Sequence, residues 1–588
     1  MNKQIPLIAD LDKLYEWQID YCLEFMAQMD NPMPDGVVGM STHGITGIGK
    51  SLATVSAGRI WIDKYGKDAR IIIVVPTAAL QTQWYKDMTM QSSSMGNISR
   101  QGNKKSYDGF SPIVICTINS LKKIHRHPNF ENKQVLYILD EAHKCAAKGI
   151  MKVLREARSE GFMQGVIGVS GTIERTDGRC IMDMTGYKGM KLGKRIPHIV
   201  YLYRQALRDN VIPPFKIHVY QIAWTDLTYD EQEEYMLLTK QAKIAESMAM
   251  KEYDITREQM RHYMYADYPL VSKANAKYRA RKRLINNAQI RYELAHEIIT
   301  EYMARGLKAL VLTQSIRGCT WIKNRLIQEG WAKPYIYHSG DSPDDWAEAT
   351  TQEKKEWKDY QRNRNSILST WLDPRTEEGV MLAVNALTEG INVPELDANC
   401  LLASPNTVRH LLQALGRSLR GNRDENGDWI DRYGNPLEHK NIYIVVQGGT
   451  TDADKIAYMK QEGDIPDECF ITYNRIDGQW VEQQGAHINM SDSDDGLNRS
   501  INYYDFDVQA NDRFDDDIVI DDDEDDDIVI DDDDDDIIIL IDNDDDDIIL
   551  DFDDDDDIIL DFDDDSPMVF DAMTGEFVPQ TNNREEKV

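Results

Sequence analysis

The sequence lacks any apolar run near the roughly 20 residues that a membrane-spanning helix needs, and its first residues lack the apolar stretch of a secretory signal peptide. We therefore expect no membrane partner and a cytoplasmic location. The seven cysteines are scattered without CxxC pairs. That spacing argues against a disulfide framework or a zinc site and suits a reducing compartment.

Basic side chains are scarce at one end of the chain only. The formal net charge is -35, and residues 501–588 hold 38 acidic and three basic side chains. The first 500 residues are balanced, with 63 side chains of each sign. Because the body is neutral, the acidity of the whole chain does not exclude a nucleic-acid partner.

Short apolar runs recur in two blocks and predict an α/β protein with two lobes. Continuous runs such as residues 71–75 (IIIVV) are typical of strands buried on both faces in a parallel sheet flanked by helices. We predict a first lobe over residues 1–222, a helical connector over 223–300 and a second lobe over 301–485. Residues 486–588 are expected to form a disordered, low-complexity, Asp-rich tail.

A glycine-rich loop predicts a nucleotide site. Residues 44–51 (GITGIGKS) fit GxxxxGK[ST], follow an apolar segment and precede a helical pattern. Lys50 would neutralise the β- and γ-phosphates of ATP, and Ser51 would bind Mg²⁺. The alternative is a glycine-rich turn that only precedes a helix. The loop residues expected around the phosphates are Gly44, Thr46, Gly47 and Gly49.

Two adjacent carboxylates follow the later apolar run at residues 135–139. The run ends in Asp140-Glu141-Ala142-His143, and a carboxylate at the end of a buried strand needs a partner or a metal ion. Asp140 suits a contact with Mg²⁺ through water, and Glu141 suits the base that orients the attacking water. By itself the tetrapeptide is equally consistent with a helix start that places acidic side chains at the positive end.

Together these segments resemble motifs I and II of superfamily 2 helicases of the DEAH-box kind. A further motif precedes them at residues 14–18 (LYEWQ, similar to the adenine-reading glutamine motif). Others follow in order at residues 168–178 (motif III), 384–394 (motif V) and 413–420 (QALGRSLR, motif VI). The resemblance covers roughly residues 10–450 and extends to phage UvsW-type helicases, transcription-repair helicases and restriction-motor subunits. It implies two RecA-like lobes of the P-loop NTPase fold that use ATP and Mg²⁺.

The resemblance also implies roles for single residues in both lobes. Gln18 and Gly390 are expected at the nucleotide, and His143, Ser170 and Thr172 are expected to couple it to the bound strand. Arg417 and Arg420, together with Gln413, would act from the second lobe on the phosphates held by the first. Hydrolysis would then require closure of the cleft. An exposed helix face is the alternative for two arginines at this spacing.

Contacts with nucleic acid in this family fall mainly on the phosphate backbone. The candidates are Thr77, Gln83, Asn119, Thr313, Gln314 and Thr388, each of which could equally cap a helix or lie in a loop. The basic stretch 273–283 (KANAKYRARKR), with Tyr278 among its charges, either grips a duplex or forms an exposed charged helix.

The acidic tail repeats with a ten-residue period, for example at residues 517–526 (DIVIDDDEDD) and 547–556 (DIILDFDDDD). Three roles fit: a solubilising segment, a nucleic-acid mimic that covers the cleft of its own body, and a docking segment for a partner's basic groove. Calcium-binding repeats are disfavoured because their glycine turns are missing.

These observations predict an ATP-driven DNA helicase or translocase, with single-stranded or branched DNA in repair, recombination or replication as the expected substrate. RNA is the alternative polynucleotide. A restriction or defence motor, and a nucleic-acid-gated switch or scaffold, are the alternative functions.

Overall fold

The computed structural model describes residues 14–91, 97–102, 105–171, 180–191, 193–256, 260, 268–305, 307–313, 315–331, 334–337, 379–384, 396–402, 408–431, 433–490, 568–571 and 576–579, with single positions between 355 and 371. The chain divides into two units, residues 1–533 and 534–588. None of the helices in the described ranges has the length and apolarity to cross a membrane.

The first lobe is a parallel sheet covered by helices on both faces. Its strands are β1 (Val38–Gly44), β2 (Ala69–Val75), β3 (Ile98–Gln101), β4 (Ile113–Thr117), β5 (Gln134–Asp140), β6 (Gly165–Ser170) and β9 (Ile199–Tyr201), and β7 (Gly189–Lys191) pairs with β8 (Lys194–Ile196) as a separate hairpin. The seven strands run in the order β3-β4-β2-β5-β6-β1-β9 with every pairing parallel. Its helices are α1 (Glu16–Asp30), α2 (Lys50–Tyr65), α3 (Ala78–Gln91), α4 (Ala142–Cys145), α5 (Lys148–Ser159), α6 (Met182–Thr185) and α7 (Tyr203–Arg208).

The second lobe is an eight-stranded sheet. Its strands are β10 (Phe215–Ile222), β11 (Lys308–Thr313), β12 (Tyr335–Tyr337), β13 (Gly379–Val384), β14 (Ala398–Leu401), β17 (Lys440–Gln447), β18 (Phe470–Ile476) and β19 (Gln479–Gln484), and β15 (Asn422–Arg423) pairs with β16 (Trp429–Ile430). The order is β12-β13-β11-β14-β17-β10-β18-β19, and only β18 and β19 pair antiparallel. The helices that follow the first lobe are α8 (Tyr229–Glu252), α9 (Pro269–Asn286), α10 (Gln289–Ala304), α11 (Ile316–Gln328), α12 (Val408–Ser418) and α13 (Thr451–Glu462).

The α/β prediction with two parallel-sheet lobes is confirmed, and the predicted apolar runs form central strands. In β2, Ile72, Ile73, Val74 and Val75 are fully buried, because helices cover both faces of the sheet. Side chains from both lobes join one core cluster. The carboxyl ends of the first sheet's strands carry the glycine-rich loop after β1 and the carboxylates after β5.

One predicted boundary differs from the structure. The first lobe was expected to run to residue 222, but β10 lies in the second sheet, between β17 and β18. Its apolar pattern identifies a buried strand without identifying its neighbours, since strand order depends on contacts remote in sequence. The remaining domain limits stay predictions.

In the second unit the described residues form a hairpin of β20 (Met568–Asp571) and β21 (Glu576–Pro579). Residues 486–490 of the predicted tail are also described and bond to the second lobe, and its other residues lie outside the described ranges.

The basic stretch 273–283 lies on α9, and its central side chains pack against α8. The Tyr278 hydroxyl donates to Glu246 at 2.6 Å, and Arg281 donates to the Thr239 hydroxyl at 3.2 Å. Tyr278, Arg281 and Lys282 are all buried. These three side chains brace a helical hairpin, so neither the duplex-gripping hypothesis nor the exposed-helix hypothesis describes them.

Because the bond between Tyr278 and Glu246 is buried and accepts on a carboxylate, we expect Tyr278→Phe to lower the free energy of unfolding by about 1–3 kcal/mol. Urea titration followed by circular dichroism measures the change. The matched control is Tyr229→Phe, which removes a similar bond to Glu233 from the exposed face of α8 and should leave the transition in place. Equal effects of the two substitutions would contradict this assignment.

Candidate nucleotide-binding site

The glycine-rich loop joins β1 to α2 in a conformation that requires glycine at two positions. Gly47 and Gly49 have φ angles of 94° and 83°, in the left-handed region that side chains disfavour. Gly49 is the residue that precedes the first turn of α2. The loop therefore lies at the positive end of a 16-residue helix, where backbone N–H groups suit phosphate.

Gln18 ties the start of α1 to this loop. Its side-chain oxygen accepts from the Tyr15 backbone N–H at 3.0 Å, and its side-chain nitrogen donates to the Gly49 carbonyl at 3.1 Å. Gln18 is 1 % exposed. A ligand that forms a hydrogen bond with the Gln18 amide would therefore also affect the phosphate loop, because the same amide bonds to Gly49.

Lys50 is the cation of the loop. Its ammonium donates to the carbonyls of Gly44 and Ile45 at 2.8 and 3.0 Å. Burial lowers the pKa of Lys50, the charges of Glu141 and Asp140 raise it, and the charge of Arg420 lowers it. The arrangement thus places the carboxylate that ends β5, the carboxylate that follows it and one arginine from the second lobe within electrostatic reach of Lys50.

Asp140 ends β5, and both of its oxygens accept hydrogen bonds. The Trp84 indole donates to one oxygen at 2.6 Å, and the Glu141 backbone N–H donates to the other at 3.0 Å. Burial raises the pKa of Asp140, against the lowering effects of the Trp84 bond and the Lys50 charge. Trp84 did not emerge from the sequence as a site residue, although it directly follows the candidate Gln83.

Glu141 lies at a strained junction between β5 and α4. Its φ of 45° is in the left-handed region, which non-glycine residues seldom adopt and which is concentrated at functional sites. The Ser170 hydroxyl lies 2.7 Å from Nδ1 of the fully buried His143 and 3.5 Å from the Glu141 carboxylate. The structure therefore brings together three residues that the sequence assigned to catalysis or coupling. Thr172 lies outside the described residues.

Helix α12 of the second lobe packs directly on the phosphate loop. A β-carbon added at Gly416 would lie 2.5 Å from the Thr46 β-carbon and 2.7 Å from the Thr46 carbonyl oxygen. A β-carbon at Gly47 would lie 2.7 Å from the Gly416 carbonyl oxygen. Glycine inside a helix costs about 1 kcal/mol relative to alanine, and here it permits two backbones to touch.

Further contacts hold the two lobes together beside this point. The hydroxyl of the fully buried Tyr203, in α7, donates to the Leu412 carbonyl at 3.0 Å, and the Tyr203 backbone N–H donates to Gly463 at 3.0 Å. Gln413, which is 6 % exposed, lines a small cavity between the lobes together with His43 and Thr46. The sequence did not single out Tyr203, because its partners are remote in sequence.

The remaining second-lobe candidates are described only in part. Arg420 follows α12 and acts electrostatically on Lys50. Arg417 belongs to α12, but its side chain lies outside the described residues, as does the whole of Gly390. Their catalytic and nucleotide-binding roles stay predictions.

The candidate nucleic-acid contacts differ in their exposure in the structure. The Thr77 hydroxyl accepts from the Leu80 backbone N–H at 3.3 Å at the start of α3, Gln83 is half-buried on α3, and Asn119 is exposed after β4. Gln314 and Thr388 lie outside the described residues. Thr313 is 1 % exposed, and its hydroxyl donates to the Ser315 carbonyl at 3.0 Å. The structure contradicts a nucleic-acid contact for Thr313. Its side chain is buried at the end of β11, and its hydroxyl bonds to a backbone carbonyl instead.

The donor set fits a Mg²⁺ ion that arrives with a nucleotide. Ser51 offers a hydroxyl and Asp140 a carboxylate, and Mg²⁺ completes its octahedron with waters and phosphate oxygens. Within the described ranges no group of three or more His, Cys, Asp or Glu side chains could hold a metal ion. The Ser51 and Asp140 roles as ligands stay predictions.

Comparisons with known proteins support this interpretation of the motifs. The family model of the type III restriction enzyme res subunit matches residues 12–175. A DNA 3'-5' translocase XPB2 from Sulfurisphaera tokodaii is 23 % identical over 421 residues, which cover 71 % of this chain and 80 % of that protein. The chain is thus similar to a restriction enzyme subunit over its first lobe and to a DNA translocase over most of its length. The predicted resemblance to helicases and translocases is thereby confirmed, and the use of ATP stays a prediction.

Two solved structures match most of this chain at TM-scores below 0.5. The helicase domain of Pyrococcus furiosus Hef matches with a TM-score of 0.45 and 15 % identity, over 77 % of this chain and 99 % of that one. Saccharomyces cerevisiae Dbp5 bound to RNA and ADP BeF3 matches with a TM-score of 0.42 and 11 % identity, over 79 % of this chain and 91 % of that one.

We expect Gly416→Ala to reduce steady-state ATPase activity at least tenfold while nucleotide binding is retained, because the added methyl group cannot fit beside Thr46 without separating the lobes. Gly149→Ala on α5 is the control, since nothing lies within 4 Å of a β-carbon there. Unchanged ATPase activity in Gly416→Ala would contradict a functional contact between α12 and the phosphate loop.

Gln18→Ala should weaken ATP binding about tenfold and reduce the preference for ATP over GTP, because a buried amide that bonds to the phosphate loop is removed. Competition between the two nucleotides for a fluorescent analogue measures the preference. Gln28→Ala removes a side-chain bond to Glu24 on the same helix and serves as the control. A preference that survives in Gln18→Ala would show that another group reads the base.

Proposed function

We propose that this protein is an ATP-dependent DNA helicase or translocase that separates or remodels branched DNA. The observation that carries the proposal is the contact between α12 of the second lobe and the phosphate loop of the first, at Gly416 and Gly47. A nucleotide site built by two lobes makes hydrolysis depend on their relative position. Movement of the second lobe along a strand is the mechanical output that such a site supplies.

The chemistry assigned to the site follows from its charges. Lys50, with Arg420 from the other lobe, would neutralise the γ-phosphoryl group, an effect worth on the order of 10³–10⁵ in rate for arginine fingers. Glu141 would orient the attacking water, and its contact with Ser170 links it to the next strand of the sheet. Ser51 and Asp140 would hold Mg²⁺, which would offset the negative charge of the phosphates. These assignments define the DEAH-box mechanism that we propose.

DNA is favoured as the polynucleotide partner because the relative from Sulfurisphaera tokodaii is named a DNA translocase. The contacts from Thr77, Gln83 and Asn119 would fall on phosphates, so binding should depend strongly on salt and weakly on sequence. Branched intermediates of repair, recombination or replication are the substrates that we propose. RNA is the alternative partner.

A motor subunit of a restriction or defence system is the second candidate. The family model that matches residues 12–175 is named for a restriction enzyme subunit, and this observation favours the alternative. It requires a nuclease partner, whereas the helicase proposal does not. A nucleic-acid-gated switch or scaffold is a third candidate, in which turnover occurs without directional movement.

The acidic tail adds a proposed level of control. With 38 acidic side chains against three basic ones in residues 501–588, it either keeps the chain soluble, competes with DNA for the cleft, or docks on a basic partner. Competition predicts that deleting residues 501–588 lowers the DNA concentration needed for half-maximal ATPase activity. The other two roles predict no change.

Steady-state ATPase activity tests the proposal, with the full chain and Lys50→Ala assayed without nucleic acid and with single-stranded, duplex and forked DNA or RNA. We expect forked DNA to stimulate hydrolysis most strongly and Lys50→Ala to abolish it. Stimulation by RNA alone would select the RNA alternative. Hydrolysis that is indifferent to every polynucleotide would exclude a motor.

A further inference from the structure

Trp84 holds one of the shorter hydrogen bonds at the nucleotide site. Its indole ring belongs to the core cluster and is 4 % exposed, while its N–H donates to Asp140 at 2.6 Å. An indole has this single donor, and packing of the ring fixes its direction. The bond thus ties the Asp140 carboxylate to a rigid side chain on a different element of the fold.

The second oxygen of Asp140 is held from the opposite side of the junction. It accepts from the Glu141 backbone N–H at 3.0 Å, within the turn between β5 and α4. Two donors on separate elements therefore fix the plane of the carboxylate. Each oxygen keeps a lone pair that a water or a metal ion can use.

Helix α3, which carries Trp84, is itself firmly anchored. The fully buried Gln81 side chain donates to the carbonyls of Gln101 and Ile115, at 2.9 and 3.0 Å. Thr77 accepts from the first turn of the same helix, and Gln83 is adjacent to Trp84 in the chain. Thr77 and Trp84 therefore lie at the start and in the middle of one anchored helix.

We propose that Trp84 is a positioning residue that orients Asp140 and links the metal end of the nucleotide site to the polynucleotide bound at the start of α3. The link to the polynucleotide rests on the proposed function; the orientation of Asp140 does not. Trp84 touches no reacting group and acts only through the carboxylate. Its loss leaves the phosphate loop intact but lets Asp140 turn.

The test measures binding of a fluorescent, non-hydrolysable ATP analogue with Mg²⁺ or EDTA, each with and without forked DNA. In Trp84→Phe we expect the gain in affinity that Mg²⁺ provides to fall on the order of tenfold, the size typical of a hydrogen bond to a charged group. Affinity in EDTA should stay unchanged. The effect of DNA on Mg²⁺-dependent affinity should fall as well.

Trp61→Phe is the matched control. Its indole is buried in the same lobe and donates to the Gln134 carbonyl at 2.8 Å, so the substitution removes the same group from a purely structural contact. If both variants lose the same Mg²⁺ enhancement, the effect comes from weakened packing and the proposal is overturned.

A double-mutant cycle separates action through Asp140 from other routes. In an Asp140→Asn background, Trp84→Phe should produce no further change in the Mg²⁺ enhancement, and a loss of full size there would overturn the proposal. If Trp84→Phe does not fold, 3-benzothienylalanine at position 84 keeps the shape of the ring without the N–H and should give the same loss.

The two parts of the proposal fail separately. A wild-type protein whose nucleotide affinity ignores DNA contradicts the proposed function, while the comparison of Mg²⁺ with EDTA still tests Trp84. A normal DNA effect together with an unchanged Mg²⁺ enhancement in Trp84→Phe overturns the Trp84 inference alone.

Discussion

The approach of two backbones at Gly416 and Gly47 is the constraint on which the rest of the site depends. No side chain separates helix α12 from the phosphate loop, so a shift of either lobe changes the surroundings of Lys50 directly. A helix interior disfavours glycine, and Gly416 therefore has a cost in local stability that close contact explains. Through this contact, the position of the second lobe determines the surroundings of Lys50 in the first lobe.

The charged side chains around Lys50 make that contact important for the chemistry of the site. Lys50 interacts with two carboxylates of its own lobe and with Arg420 of the other, in surroundings that strengthen electrostatic interactions. The strained backbone of Glu141 and the hydrogen bonds around Asp140 indicate that the surrounding structure holds these groups in place before any ligand binds.

Features that depend on local pattern were predictable from the sequence. The central strands, the glycine-rich loop and the carboxylates after residue 139 each follow from a few neighbouring residues. The membership of β10 in the second sheet was not predictable, because its partners β17 and β18 lie more than 200 residues away in the chain. The bond between Trp84 and Asp140 was not predictable for the same reason, since it spans 56 positions.

The basic stretch on α9 illustrates how charge alone misleads. Tyr278 and Arg281 were interpreted as residues of a helix that either binds a duplex or stays exposed, but the hairpin with α8 buries both. Arginine and tyrosine carry long apolar portions that pack well, and their polar ends find partners such as Glu246. Whether these side chains bind nucleic acid or pack between helices depends on the pairing of α8 with α9. No local sequence pattern encodes that pairing.

The most direct test of a site shared by two lobes is single-turnover hydrolysis of ATP by Arg420→Ala on saturating DNA, with nucleotide binding measured in parallel. The account predicts that binding persists while the rate of hydrolysis falls by at least a hundredfold, because the charge comes from the second lobe and acts on the γ-phosphoryl group. Hydrolysis at the wild-type rate would contradict it, since the first lobe alone would then be sufficient.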